Sequence, residues 1–130
     1  MPFELPPSLR PGPFTVATAL DAGVSAKALR GRRFTAPHRG VRQVAGAPTD
    51  LRAAIDAARL ILPPDALVTG VSGLQVFGVD VGSTRPLRFV TAHPHQIRRP
   101  GIVVTRVASL PERWNDLVVL PEHCWMVAAR

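Results

Sequence analysis

The sequence predicts an α+β chain in two parts: a small helix-turn-helix unit with a β-hairpin over residues 1–45, then a mixed α/β domain with a short antiparallel sheet over residues 46–130. Three observations carry this expectation. Two short runs with helical spacing flank Gly23; an alternating stretch from Arg32 to Val44 holds Pro37 and Gly40 near its middle; and an amphipathic run at 50–62 is followed by β-branched stretches punctuated by Pro and Gly.

Residues 1–13 hold five prolines, so an extended arm is expected there. In FTVATALDAGVSAKALRGRRF, Thr15 is a good N-cap for Val16 to Ala22, and Gly23 ends that run. Ser25 caps a second run, Ala26 to Arg30, closed by Gly31. Barely two turns long, this second helix depends on tertiary packing. Ala19 is small where two helices would cross, and Leu29 plugs the core from the second helix. Phe34, Val41 and Val44 then alternate with polar residues around Pro37 and Gly40, as in a short hairpin. A hairpin placed after a helix pair is the wing of a winged helix-turn-helix, whose second helix enters the major groove of DNA.

Gly46, Ala47 and Pro48 mark the boundary. Thr49 is expected to cap a helix over Asp50–Leu62, with Leu51, Ala54, Ile55, Ala58 and Leu62 on its apolar stripe and Pro63–Pro64 stopping it. Ala66–Thr69 suits a short buried strand and Val71–Phe77 a short helix ended by Gly78. Leu87–Thr91, Ile102–Val107 and Leu117–Leu120 have strand composition, and Glu122–Arg130 a helical one after Pro121. Phe34, Phe77 and Trp125 are expected in the core, and the last helix is expected to lack a completing partner.

At 130 residues, with 46% hydrophobic residues, the chain can build one ordinary domain or two very small ones. No apolar run approaches the roughly 20 residues a membrane span needs. The first residues have neither the basic start nor the apolar centre of a signal peptide, and a single cysteine, Cys124, makes no internal disulfide. A cytoplasmic location is expected. The net charge of +7 points to a polyanionic partner. Up to Arg42 seven cations face only Glu4 and Asp21, a net of +5, whereas the remainder carries nine cations and seven acids. The charge therefore collects on the helix-turn-helix stretch, where Ser25, Lys27 and Arg30 lie on the second helix and Arg32, Arg33, Arg39 and Arg42 on the hairpin. Double-stranded DNA is the expected partner, with the hairpin cations near the flanking phosphates. Each residue also has a plainer role: Ser25 as a cap, Lys27 and Arg30 as a solvated helix face, Arg32 and Arg33 lying over the hairpin.

Catalysis is not expected. His93 and His95 form an H-x-H pair, but no third ligand stands at convincing spacing, although His123 and Cys124 are present. The nine acids are scattered, Gly70, Gly73 and Gly78 are not followed by the Lys-Ser or Lys-Thr of a phosphate loop, and Ser72 lacks the flanking glycines of a nucleophile elbow. Neither a metal nor a cofactor is expected.

FTVATALDAGVSAKALRGRRF with HRGVRQV, then LPPDALVTGVSGLQVFGV, RFVTAHPHQIRRPGIVVTRV and LPEHCWMVAAR, resembles in order the actinobacterial proteins related to the AbiEi antitoxins of type IV toxin–antitoxin systems. The resemblance covers nearly the whole chain and rests on loose motifs. It implies an N-terminal winged helix that binds operator DNA and represses its own operon, and a following domain that counteracts a nucleotidyltransferase-type toxin. Many relatives continue into a domain related to very-short-patch repair endonucleases, so the resemblance also implies truncation at the C-terminus. The competing expectations are a protein-interaction module that binds a toxin or nuclease partner beside a vestigial DNA-binding motif, and a remnant of a longer nuclease-fused protein.

Overall fold

The computed structural model describes Leu9 and residues 12–129; most of the expected N-terminal arm, with Arg10, lies outside the described residues, as does Arg130. The protein is mixed α+β, with five helices and two three-stranded sheets among the described residues. It divides into two compact units, Met1–Ile61 and Leu62–Arg130. The sequence break at Gly46–Pro48 falls earlier, and the helix that follows it groups with the first unit.

The first unit runs β1 (Phe14–Thr15), α1 (Val16–Asp21), α2 (Ala26–Leu29), β2 (Phe34–Thr35), β3 (Val41–Val44) and α3 (Leu51–Arg59). Its sheet has β3 in the centre, antiparallel to both neighbours, with Phe14 opposite Arg42 and Phe34 opposite Val44. Pairing of β1 with β3 was not anticipated from the sequence, because two residues are too few to show a period. Leu9, Phe14, Ala19, Val24, Leu29 and Phe34 form one buried cluster. Phe14 and Phe34 meet edge-to-face at 5.8 Å, a contact of about 0.5–1.5 kcal/mol beyond area burial. In α3 the cap is Asp50 rather than Thr49: its carboxylate accepts from Ala53 N at 2.9 Å. The helix therefore starts one residue later than expected, on the stronger capping group.

The second unit runs β4 (Leu67–Val68), α4 (Gly70–Val76), β5 (Leu87–Thr91), β6 (Ile102–Arg106) and α5 (Pro121–Ala128). β4 and β5 are antiparallel, but β5 and β6 are parallel, so the expected antiparallel sheet is a mixed one. The reason is a double reversal. The chain bends at Pro94–His95 and turns again at Pro100–Gly101, where Gly101 has φ +76° and Arg99 bridges to Ile102. Pro followed by Gly at positive φ suits a type II turn, and two reversals bring the next strand back parallel. The LVVL stretch is not a strand; Val118 bridges to Val68 and Val119 to Arg113. Asp65 ties β5 to the loop before β4, accepting from the Thr91 hydroxyl and from Ala92 N. Ser72 Oγ accepts from Arg88 N at 2.9 Å and fastens α4 to β5.

The last helix does have a partner. Gly70 and Gly73, three apart on α4, lie under α5: a Cβ on Gly70 would stand 3.2 Å from Val127 Cγ1, and one on Gly73 would overlap the Cys124 sulfur. Trp125 is not in the core. It is 54% exposed and Met126 59%, because Cys124 is the residue that α5 buries. Phe77 is half-buried and packs edge-to-face on the exposed Trp114 at 5.7 Å. Among the described residues no helix is long and apolar enough to cross a membrane.

Candidate nucleic-acid interface

The best-defined arrangement of polar groups is built on the turn between α1 and α2. Thr15 caps α1, its hydroxyl accepting from Thr18 N at 3.1 Å, and Ser25 caps α2 by accepting from Ala28 N at 3.1 Å. Between the helices Gly23 adopts φ +95°, a conformation an L side chain rarely takes. Val24 and Leu29 anchor the turn and α2 in the core, which leaves Ser25, Lys27 and Arg30 exposed on the outer side.

Behind α2 the chain passes Gly31 and enters β2. A cleft of about 450 Å³ opens here, lined by Ser25, Lys27, Ala28, Gly31, Arg32 and Arg33. Its small residues make room: a Cβ on Gly31 would come within 3.2 Å of the Ala28 carbonyl. Ser25, Lys27, Arg32 and Arg33, four of the residues expected to bind DNA, thus share one concave surface. Ala28 and Gly31 were missed as its floor. The signal available was their spacing of three, which puts two small residues on one side of a helical turn.

The other three lie apart from that cleft. Arg30 is exposed and forms the C-cap of α2. Arg39 is exposed in the turn between β2 and β3. That turn is held against the start of α1, since Val16 N–H donates to Gly40 O at 2.8 Å. Arg42 is a strut. Its Nε donates to Leu29 O at 3.2 Å and its Nη1 to Val41 O at 3.0 Å, so the half-buried guanidinium fastens the C-terminal end of α2 to β3. A last-turn carbonyl otherwise left without a partner receives a charged donor there.

At four residues, α2 is only about 6 Å long at roughly 1.5 Å per residue. Such a helix offers few side chains to base edges; its surroundings offer cations suited to phosphate oxygens.

The histidine pair has a local role. His95 N donates to His93 Nδ1 at 3.2 Å, and the rings lie tilted with centroids 5.4 Å apart. Among the described residues no three of His, Cys, Asp or Glu converge as a metal site would require. Cys124 is fully buried, and burial pushes its thiol up to about 11 from 9.0, which keeps it protonated at neutral pH.

No family model, curated protein or solved structure matches the chain.

Proposed function

We propose that the first unit binds double-stranded DNA and that the protein is an antitoxin-like transcriptional regulator, which represses its own operon and counteracts a nucleotidyltransferase-type toxin. One observation carries the DNA-binding part: Lys27, Arg32 and Arg33 line one concavity walled by a helix whose inner side is buried. Residues 26–30 enter the major groove. Lys27 reaches base edges, Arg32 and Arg33 hold phosphates behind the helix, and Arg39 holds the backbone from the β2–β3 turn. Repression follows from occlusion of a promoter. The regulatory and toxin-directed parts rest on the resemblance of the ordered motifs.

The test is a titration of the full chain onto its own upstream DNA, followed by fluorescence anisotropy at several salt concentrations. With three to five phosphate contacts the log–log slope falls between about −2.7 and −4.5. Arg39→Ala weakens binding to every sequence alike and reduces the slope by about 1, whereas Lys27→Ala also alters sequence preference. Absence of binding at low salt, or equal and negligible effects of both changes, refutes the assignment.

A protein-interaction role for the second unit is the alternative favoured by its exposed aromatic surface, where Trp114 and Trp125 stand largely in solvent. A partner that co-purifies with the full chain carrying Lys27→Ala and Arg32→Ala, together with no DNA binding by the unaltered chain, would establish that role in place of the first.

A further inference from the structure

The cleft behind α2 holds more space than a duplex backbone fills. DNA presents a convex row of phosphates and sugars to a protein surface, so a backbone phosphate would enter the mouth of this hollow and leave its floor uncovered. At about 450 Å³ the cleft falls within the roughly 300–1,000 Å³ of sites that take small molecules. Its floor is Ala28 and Gly31, which carry a single methyl group between them, and a flat ring can lie on them.

The rim is cationic. Lys27 and Arg32 stand exposed beside the floor, together with Arg33, and no acid is among the lining residues. The described acids of the first unit are placed elsewhere: Asp21 ends α1, Asp50 caps α3 and Asp56 pairs with Arg52 at 3.2 Å. Ser25 Oγ accepts from Ala28 N, which leaves its hydroxyl proton to donate to an anion. The carbonyls at the floor are already engaged, Lys27 O accepting from Arg30 N at 3.2 Å and Ala28 O from Gly31 N at 3.0 Å. The floor therefore suits the face of a ring better than its edge.

We propose that this cleft binds a free nucleoside 5′-phosphate, and that the bound nucleotide displaces DNA. The base lies flat on Ala28 and Gly31, and the phosphate sits between Ser25, Lys27 and Arg32. Purines bind alike, because their shared face is what the floor meets. The displacement rests on the DNA-binding reading of the first unit, since Lys27 and Arg32 serve both ligands. The nucleotide site itself does not depend on that reading.

The experiment titrates the ¹⁵N-labelled full chain with AMP at fixed ionic strength, followed by NMR. The expected result is saturable shifts of the Ala28, Gly31 and Arg32 amides, with GMP equivalent to AMP. Adenosine, which lacks the phosphate, and ribose 5-phosphate, which lacks the ring, each bind about tenfold more weakly. Lys27→Ala with Arg32→Ala, both at exposed positions, weakens AMP binding about tenfold while the remaining amide shifts stay in place. Arg39→Ala, outside the cleft, leaves AMP binding unchanged and weakens only DNA binding. At about ten times its dissociation constant, AMP raises the apparent dissociation constant for DNA about elevenfold at matched ionic strength. Unmoved cleft amides, equal binding of adenosine or ribose 5-phosphate, or a DNA isotherm unaffected by saturating AMP would each overturn the proposal. A chain that binds AMP but no DNA at low salt upholds the nucleotide site and refutes the DNA-binding reading instead.

Discussion

Replacing Gly73 by Ala is expected to destabilise the second unit, and removing the Cys124 sulfur at the same time is expected to restore it. A methyl group at position 73 overlaps Cys124 Sγ and stands 3.4 Å from both Cys124 Cβ and Val118 Cγ2. In an unobstructed helix the change from Gly to Ala gains about 0.5–1 kcal/mol. Here the overlap falls in a fully buried contact, where overpacking costs about 1–3 kcal/mol, so the net loss is about 1–2 kcal/mol. Cys124→Ala alone gives up one buried sulfur and leaves a small void, about 1 kcal/mol. In the double variant the new methyl occupies the space of the lost sulfur and its remaining neighbours sit at ordinary contact distance. Its stability returns to within about 0.5 kcal/mol of the parent, against an additive loss of about 2–3 kcal/mol. Urea unfolding followed by tryptophan fluorescence measures this, because both tryptophans, Trp114 and Trp125, lie in the second unit. Losses that add within about 0.5 kcal/mol would show that α4 and α5 do not meet at this point.

Raising the pH should expose the same contact by another route. The Cys124 thiol is pushed up to about 11 in the folded protein against 9.0, so stability is full below about pH 9 and falls as pH rises toward 11, where the unfolded chain ionises first. The urea midpoint records that fall, and Cys124→Ala abolishes its cysteine-dependent part. Arg42→Ala removes the donor to the Leu29 carbonyl and should cost about 0.5–1.5 kcal/mol in the first unit. Amide exchange at Leu29 and Val24 then quickens severalfold, and unchanged exchange would refute the strut. Asp50→Ala should cost α3 about 1 kcal/mol in thermal unfolding followed by circular dichroism, while Thr49→Ala leaves it unchanged; the reverse order would return the cap to Thr49.

Local signals in the chain were legible where local physics decides. Ser25 and Thr15 cap the helices expected of them, Gly23 makes the turn at positive φ, and Leu87–Thr91 is a strand with the bounds its β-branched and apolar residues suggest. What the sequence concealed depends on distant partners. The strand composition of LVVL was visible, but its pairing is restricted to bridges with Val68 and Arg113. The parallel pairing of β6 arises from two reversals, of which the Pro100–Gly101 pair discloses only one. Trp125 looked like core because EHCWMVAA has no polar side to contradict it, and only the position of Gly73 shows that Cys124 faces inward. Around the candidate cleft, composition drew attention to the cations. It did not separate Arg42, held by two carbonyls, from those around the cleft, because an arginine in an alternating strand looks the same whether it faces solvent or a helix end.

The central place of β3 has a consequence for biosynthesis. Phe14–Thr15 and Phe34–Thr35 each pair with Val41–Val44 and not with one another. A nascent polypeptide that has emerged only as far as Gly40 therefore holds two dipeptide segments with no template, beside helices of six and four residues that are too short to persist alone. Arrival of Val41–Val44 supplies both ladders at once. Acquisition of order in the N-terminal half is thus expected to be abrupt during translation, and ribosome-bound chains halted on either side of that tetrapeptide should differ sharply in resistance to protease.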